Sequence, residues 1–216
     1  MIDALLRRPA SRGDYAADAV RALGCISVLA AALALGPVNT ALFLLVLLGL
    51  LVSRALTVPP GFDAVYGLTL LLAAWSSVID LYARITWWDL AVHFVSTAAI
   101  AAMTYVLLAR LEAVPGVARP RGRGSAPAAV VAVLVTALGL AVSVLWELGE
   151  WWGHTFIDQR INVGYADTMG DLAAGGLGAL LSGVLLAFSA RRRPAAGGRA
   201  PAPKPQAAAD RTNPRS

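Results

Sequence analysis

The chain has two histidines, and each stands at helical spacing from carboxylates. Asp89 and His93 are four residues apart, which puts them on one helix face, and Ser96 and Thr97 extend that face. Glu147, Glu150 and His154 fall at i, i+3 and i+7, again a single stripe. Asp167 and Asp171 form another i, i+4 pair, provided a helix begins that early. Carboxylates with neutral imidazoles are the ligand set for Zn²⁺, Mn²⁺ or Fe²⁺, whereas all-oxygen sites favour Mg²⁺ or Ca²⁺. Asp89, His93, Glu147, His154, Asp167 and Asp171 are therefore the candidate ligands of a divalent metal ion, its identity left open. Glu150 and Glu147 are the candidate catalytic groups. A bound metal would activate water for hydrolysis or group transfer on a lipid-linked substrate. Without one, the same carboxylates would do acid–base work or relay protons for transport. The spacing is far less specific than His-Glu-x-x-His.

Local helix physics offers plainer uses for most of these residues. Asp89 with Thr86 reads as a Thr-x-x-Asp capping box. Asp167 reads as an N-cap, with Asp171 favoured by the positive end of the same helix. His93 fits a hydrogen-bonded interior position and His154 a helix C-terminus. Trp87-Trp88 and Trp151-Trp152 read as interfacial anchors. Glu147 and Glu150 resist this treatment, because they stand in the last turns of their helix, where the macrodipole disfavours negative charge. Something positive must compensate them: Arg84, Arg160, a proton or a bound cation.

The elements that carry these stripes are membrane spans. Of 216 residues, 58% are hydrophobic and 14% charged, with a mean hydropathy of +0.67; a soluble domain carries about 25% charged residues. The apolar residues come in runs of about twenty, the length that crosses the hydrocarbon core as a helix. The fold expected is all-α, a polytopic membrane helix bundle of about six transmembrane helices. The spans fall near 20–36, 38–58, 62–82, 87–108, 128–152 and 169–190. Gly36-Pro37-Val38-Asn39 is so short a break that the first two read as a tight hairpin. Residues 1–19 form a cytoplasmic segment, 20–190 the membrane domain and 191–216 a disordered, basic cytoplasmic tail. The N-terminal arginines do not make a convincing cleavable signal, because further spans follow the first. The single Cys25 excludes a disulfide framework within one chain.

Net charge +5 and a pI near 10 do not imply nucleic acid, because the basic residues sit in tails and connectors. There they set topology and attract membrane lipids, the expected partners. With a cytoplasmic N-terminus, Arg7, Arg8, Arg12, Arg21, Arg54, Arg110, Arg119, Arg121, Arg123 and the tail all lie inside. The outer side receives only Arg84 and Arg160. This bias predicts a multi-pass inner-membrane protein with both termini cytoplasmic. It also places Asp80, Asp89, Glu147, Glu150, Asp167 and Asp171 at one level of the outer face, the only dense polar chemistry expected. The glycines of Gly175-Gly176-Leu177-Gly178 suit close helix packing, and would serve a homo-oligomer as readily as one chain. The leading functional expectation is an outer-face site that acts on or binds an envelope lipid or lipid-linked molecule. A small proton-coupled transporter and a non-catalytic scaffold are the alternatives. A transporter predicts polar residues continuing to the inner face, where only Asp63 and Tyr66 stand out.

At Asp89-x-x-x-His93-Phe94, Trp146-Glu147-x-x-Glu150-Trp151 and Asp167-Thr168-x-x-Asp171 with Gly175 and Gly178, the sequence resembles the YjdF-type bacterial inner-membrane proteins. The likeness covers roughly the second half of the chain. The pattern is similar, more loosely, to the VanZ-like group, which is associated with glycopeptide-antibiotic resistance at the cell envelope. Leu90 stands where that group usually has a lysine, Glu150 where it tends to have a glutamine and Gly175 where it tends to have an asparagine. The resemblance implies a shared polar site rather than a named reaction.

Overall fold

A computed structural model describes residues 2–116, 127–159 and 161–191. Arg119, Arg121, Arg123, Arg160 and the tail beyond Arg191 lie outside the described residues. All described secondary structure is helical.

After a short α1 (Ile2–Leu5), α2 (Arg12–Ala30) starts well before the first span expected. Its start is held by a capping box: the Asp14 amide donates to Ser11 Oγ at 3.2 Å, and the Ser11 amide donates to Asp14 Oδ2 at 3.0 Å. A π-helical turn, Ala31–Leu35, leads into α3 (Gly36–Ala55). Helical residues run almost without a break over Arg12–Ala55, 44 residues. A straight helix of that length would reach about 66 Å at 1.5 Å per residue, twice the thickness of the hydrocarbon core. The chain reverses instead at Gly36, whose φ of 85° and ψ of 175° favour glycine. Across the hairpin, Arg21 Nε donates to the Leu50 carbonyl at 3.1 Å. Among the described residues, five helical stretches are long and apolar enough to span a membrane, and the first thus holds two crossings.

Pro60, at the first position, opens α4 (Pro60–Val78), where its missing N–H is no loss. A left-handed Asp80 (φ 57°) and one turn, α5 (Leu81–Arg84), connect to α6 (Trp88–Arg110). Then come α7 (Ala128–Phe156) and α8 (Tyr165–Arg191). The chain is a multi-pass, all-α membrane bundle.

Two groups of three helices share the fold. In the first, α2, α3 and α4 enclose Phe43, Val46, Leu50 and Leu71. Trp75 packs on Phe43, ring centroids 5.1 Å apart, and donates its indole N–H to Ser27 Oγ at 3.0 Å. In the second, α6, α7 and α8 enclose Ala101, Tyr105, Val131, Val135 and Ala179. Tyr66 and Met103 join the groups across α4 and α6. Leu45, Leu48, Leu145, Leu181 and Leu185 stay exposed, as lipid-facing residues do. The α8 glycines are used within the chain. A Cβ on Gly178 would stand 2.0 Å from the Phe94 carbonyl oxygen, and one on Gly175 would stand 2.8 Å from Thr97 Oγ1 and Ser143 Oγ.

The end expected to face outward does not hold all the dense polar chemistry. At the opposite end, Arg21 donates to both oxygens of Asp63, at 2.7 and 2.5 Å, and Ser53 Oγ donates to Asp63 Oδ1 at 2.6 Å. Asp18 bridges Arg21 and Arg54 at 2.9 and 2.8 Å, and Arg54 also donates to the Arg7 carbonyl. Arg54 and Asp63 are each only 6% exposed. Arginines read as topology signals are thus members of an ion-pair network, because the middle of α2, the end of α3 and the start of α4 meet there and bury Arg21, Arg54 and Asp63.

Candidate functional site

Three helices of the second group build the candidate site, α6 and α8 at their first turns and α7 near its end. Asp89 and His93 lie on α6, Glu147 and Glu150 on α7, and Asp171 on α8. His93, Glu147 and Asp171 are buried, whereas Asp89 and Glu150 are half-buried. His93 Nε2 lies 3.5 Å from Asp89 Oδ1 and 4.0 Å from Asp171 Oδ2, and Nδ1 lies 3.9 Å from Glu147 Oε1. Each ring nitrogen therefore faces carboxylate oxygen. Two sets bring candidate ligand atoms within 4.8 Å of one another: Asp89, His93 and Asp171, and His93, Glu147 and Glu150.

Packing explains why these stripes meet. The layer of His93, Glu147 and Asp171 is repeated one turn deeper by Thr97, Ser143 and Gly175. A further turn down stand Ala101, Gly139 and Ala179, where a Cβ on Gly139 would lie 2.4 Å from the Ala179 Cβ. Small residues in the deeper layers let the three backbones approach closely. The polar stripe ends at that layer, above Tyr105 and Val135.

Helix α6 starts at Trp88 with no side-chain cap, so the Thr86–Asp89 capping box does not form. Asp167 lies in the first turn of α8, half-buried and outside both candidate sets, although its charge bears on Asp89, Glu147 and Asp171. The structure does not bring His154 to the cluster. Its Nδ1 lies 2.6 Å from the Ile161 carbonyl, tying the end of α7 to the following loop. Asp80 and Arg84 are exposed. Among the described residues, no lysine or arginine makes an ion pair with Asp89, Glu147, Glu150 or Asp171; the basic side chain beside Asp89, Glu147 and Asp171 is His93.

Three further groups were not singled out as site residues. Ser143 Oγ is buried without a hydrogen-bond partner; its signal was its place four residues before Glu147. Tyr82 donates to the Ala73 carbonyl at 3.0 Å. Burial pushes its phenol up from the ordinary range, and the negative charges of Asp89, Glu150 and Asp171 add to that. Trp88 donates to Ser76 Oγ at 2.9 Å, so it is a packed residue, whereas Trp87, Trp151 and Trp152 face outward as anchors do.

A cleft of about 370 Å³ opens between α7 and the start of α8. Its walls are mostly apolar, with Val144, Leu148, Trp151 and Leu172, and Glu147 and Thr168 supply polar atoms. A hollow of about 440 Å³ near Gly36, Pro37 and Leu44 is apolar and holds no titratable residue.

No curated protein and no solved structure matches the chain, and nothing supports the looser VanZ-like likeness. A family match extends over residues 19–192, taking in both groups of helices and every residue of the polar cluster. The chain belongs to the family described as predicted membrane protein (DUF2238), which is the family of the YjdF-type proteins.

Proposed function

We propose that Asp89, His93 and Asp171 hold a divalent metal ion near the outer membrane face. The loaded site acts on a membrane lipid or lipid-linked molecule of the cell envelope. The observation that carries this reading is His93 Nε2, set 3.5 and 4.0 Å from carboxylate oxygens of two helices, with no described lysine or arginine to pair them. Metal bonds of about 2.1 Å put neighbouring ligand atoms roughly 3 to 4 Å apart, so little movement is needed to close them on an ion. Buried carboxylates without a cation are unfavourable in a membrane.

Glu147, on the Nδ1 side, stands where a carboxylate orients a ligating imidazole. Glu150 lies beside it and is the group for proton transfer. When bound, the ion supplies a Lewis acid and a more acidic bound water. The cleft between α7 and α8 gives apolar substrate a lateral approach to Glu147. Transport is less well supported, because the polar stripe ends at Ala101, Gly139 and Ala179. The scaffold reading called on Arg84, which makes no ion pair with the cluster, and on Arg160, outside the described residues.

Elemental mass spectrometry of the detergent-purified full chain tests the metal. About one ion per chain is expected in the wild type, with at least a tenfold loss in Asp89→Asn and Asp171→Asn variants that keep their helical circular dichroism. A wild type without metal, and with no thermal shift on adding Zn²⁺, Mn²⁺ or Fe²⁺, overturns the proposal.

A further inference from the structure

The cleft between α7 and α8 joins lipid-facing walls to a buried charge. Val144, Leu148 and Trp151, its α7 side, are exposed, so that side is open to the hydrocarbon. Glu147 also lines it and is only 8% exposed. Thr168 hydrogen-bonds the Glu147 carboxylate, and Val163, Tyr165 and Leu172 complete the walls. The volume of about 370 Å³ lies at the low end of the roughly 300–1,000 Å³ of ligand sites. It suits one hydrocarbon chain rather than the paired chains of a bulk phospholipid.

What such a chain carries at its end is set by charge. A divalent ion on Asp89, His93 and Asp171 offsets the two carboxylates that bind it. Glu147 is left with uncharged partners, the Thr168 hydroxyl and the Nδ1 side of the His93 ring, 3.9 Å from Oε1. Glu150 offers an oxygen within 4.8 Å of Glu147, and the charge of Asp167, one residue before Thr168, also bears on it. Among the described residues, no lysine or arginine makes an ion pair with these three. The N-terminus of α8 would by itself attract an anion, but Asp167 already stands in its first turn. A phosphate entering the cleft therefore meets like charge. An ammonium instead meets a carboxylate in apolar surroundings, where attraction is strengthened, and its three N–H donors find oxygens on Glu147 and Thr168. We propose that the cleft binds a single-chain lipophilic amine, its hydrocarbon chain between α7 and α8 and its ammonium against Glu147 and Thr168. This ligand class rests on the lipid reading proposed above and does not require the metal.

Photolabelling of the full chain in vesicles of zwitterionic phospholipid tests this. The probes are dodecylamine, dodecanol and dodecyl phosphate with the same diazirine on the chain, and labelled residues are mapped by mass spectrometry. Labelling of Val144, Leu148 and Leu172 is read relative to the lipid-facing Leu45 and Leu181, which corrects for how much probe enters the membrane. By this ratio the amine is expected to exceed the phosphate about tenfold or more, and unlabelled dodecylamine to compete it away. Glu147→Gln is expected to remove the preference, and Thr168→Val, which keeps the carboxylate, to weaken it. Equal ratios for amine and phosphate overturn the amine and leave a lipid cleft without charge selection. So does a preference that survives in Glu147→Gln or, should that variant not fold, in Thr168→Val. Cleft labelling no stronger than that of Leu45 and Leu181 with every probe overturns the lipid reading itself, and the amine with it. Metal content of the same samples bears on the divalent ion alone.

Discussion

His93 shows what one side chain does when its neighbours come from three helices. Asp89 sits one turn back on its own helix, a relation any reader of the sequence finds. Asp171 and Glu147 approach from α8 and α7, at 4.0 and 3.9 Å. The residue-scale surprise is Asp63, read as a lone inner-end acid and found beneath Arg21 and Ser53. Removing one member of a buried pair leaves the other charge unmatched, at about 3–5 kcal/mol. Asp63→Ala is therefore expected to lower stability by about that much. An Arg21→Met/Asp63→Leu double variant, which removes both charges and fills the space, is expected to recover most of it. Thermal unfolding of the three proteins in one detergent checks the pattern, and a double variant no more stable than Asp63→Ala would contradict it.

Helix rotation about its own axis is the decisive quantity at the scale of elements. The polar stripe of α8 faces α6 because its small residues let the two helices touch, with Gly178 against the Phe94 carbonyl. Gly178→Val must push α6 and α8 apart, an overpacking penalty of about 1–3 kcal/mol or more. It is also expected to separate Asp171 from His93, so metal content should fall together with Tm. Gly149→Val, on the exposed side of α7 with nothing within 4 Å, is the control that leaves metal content unchanged. Loss of stability with full metal retention in Gly178→Val would show that α8 is not what positions Asp171.

For the whole molecule, the hairpin at Gly36 sets the topology. Counting Arg12–Ala55 as one crossing would put the chain ends on opposite sides, whereas the reversal gives six crossings and ends on the same side. Cysteine labelling in a Cys25→Ala background distinguishes the two. Arg84→Cys, in the loop that charge bias puts outside, is expected to react with an impermeant maleimide in intact cells. Ala113→Cys, beyond α6, and a cysteine placed at Ser11, before α2, are expected to react only after permeabilisation. Opposite behaviour at Ala113 and Ser11 would exclude the hairpin.

The sequence by itself determined the class of fold, the approximate crossings and the candidate carboxylates, because hydropathy over twenty residues and spacing within one helix are local properties. It placed Asp89 and His93 on one face, and Glu147 and Glu150 on another, and the two stripes meet around His93. It did not determine which stripes meet. His154 shares the spacing of Glu147 but lies past the end of the packed layers, beside the Ile161 carbonyl. Arg21 and Arg54 carry the same local signal as exposed topology arginines, yet the convergence of α2, α3 and α4 buries them against Asp18 and Asp63. Ser143 Oγ packs against Gly175 of α8, a neighbour that spacing along α7 does not reveal. Each of these outcomes depends on the rotation and depth of one helix against another, which close packing of small residues settles in three dimensions and no single helix encodes.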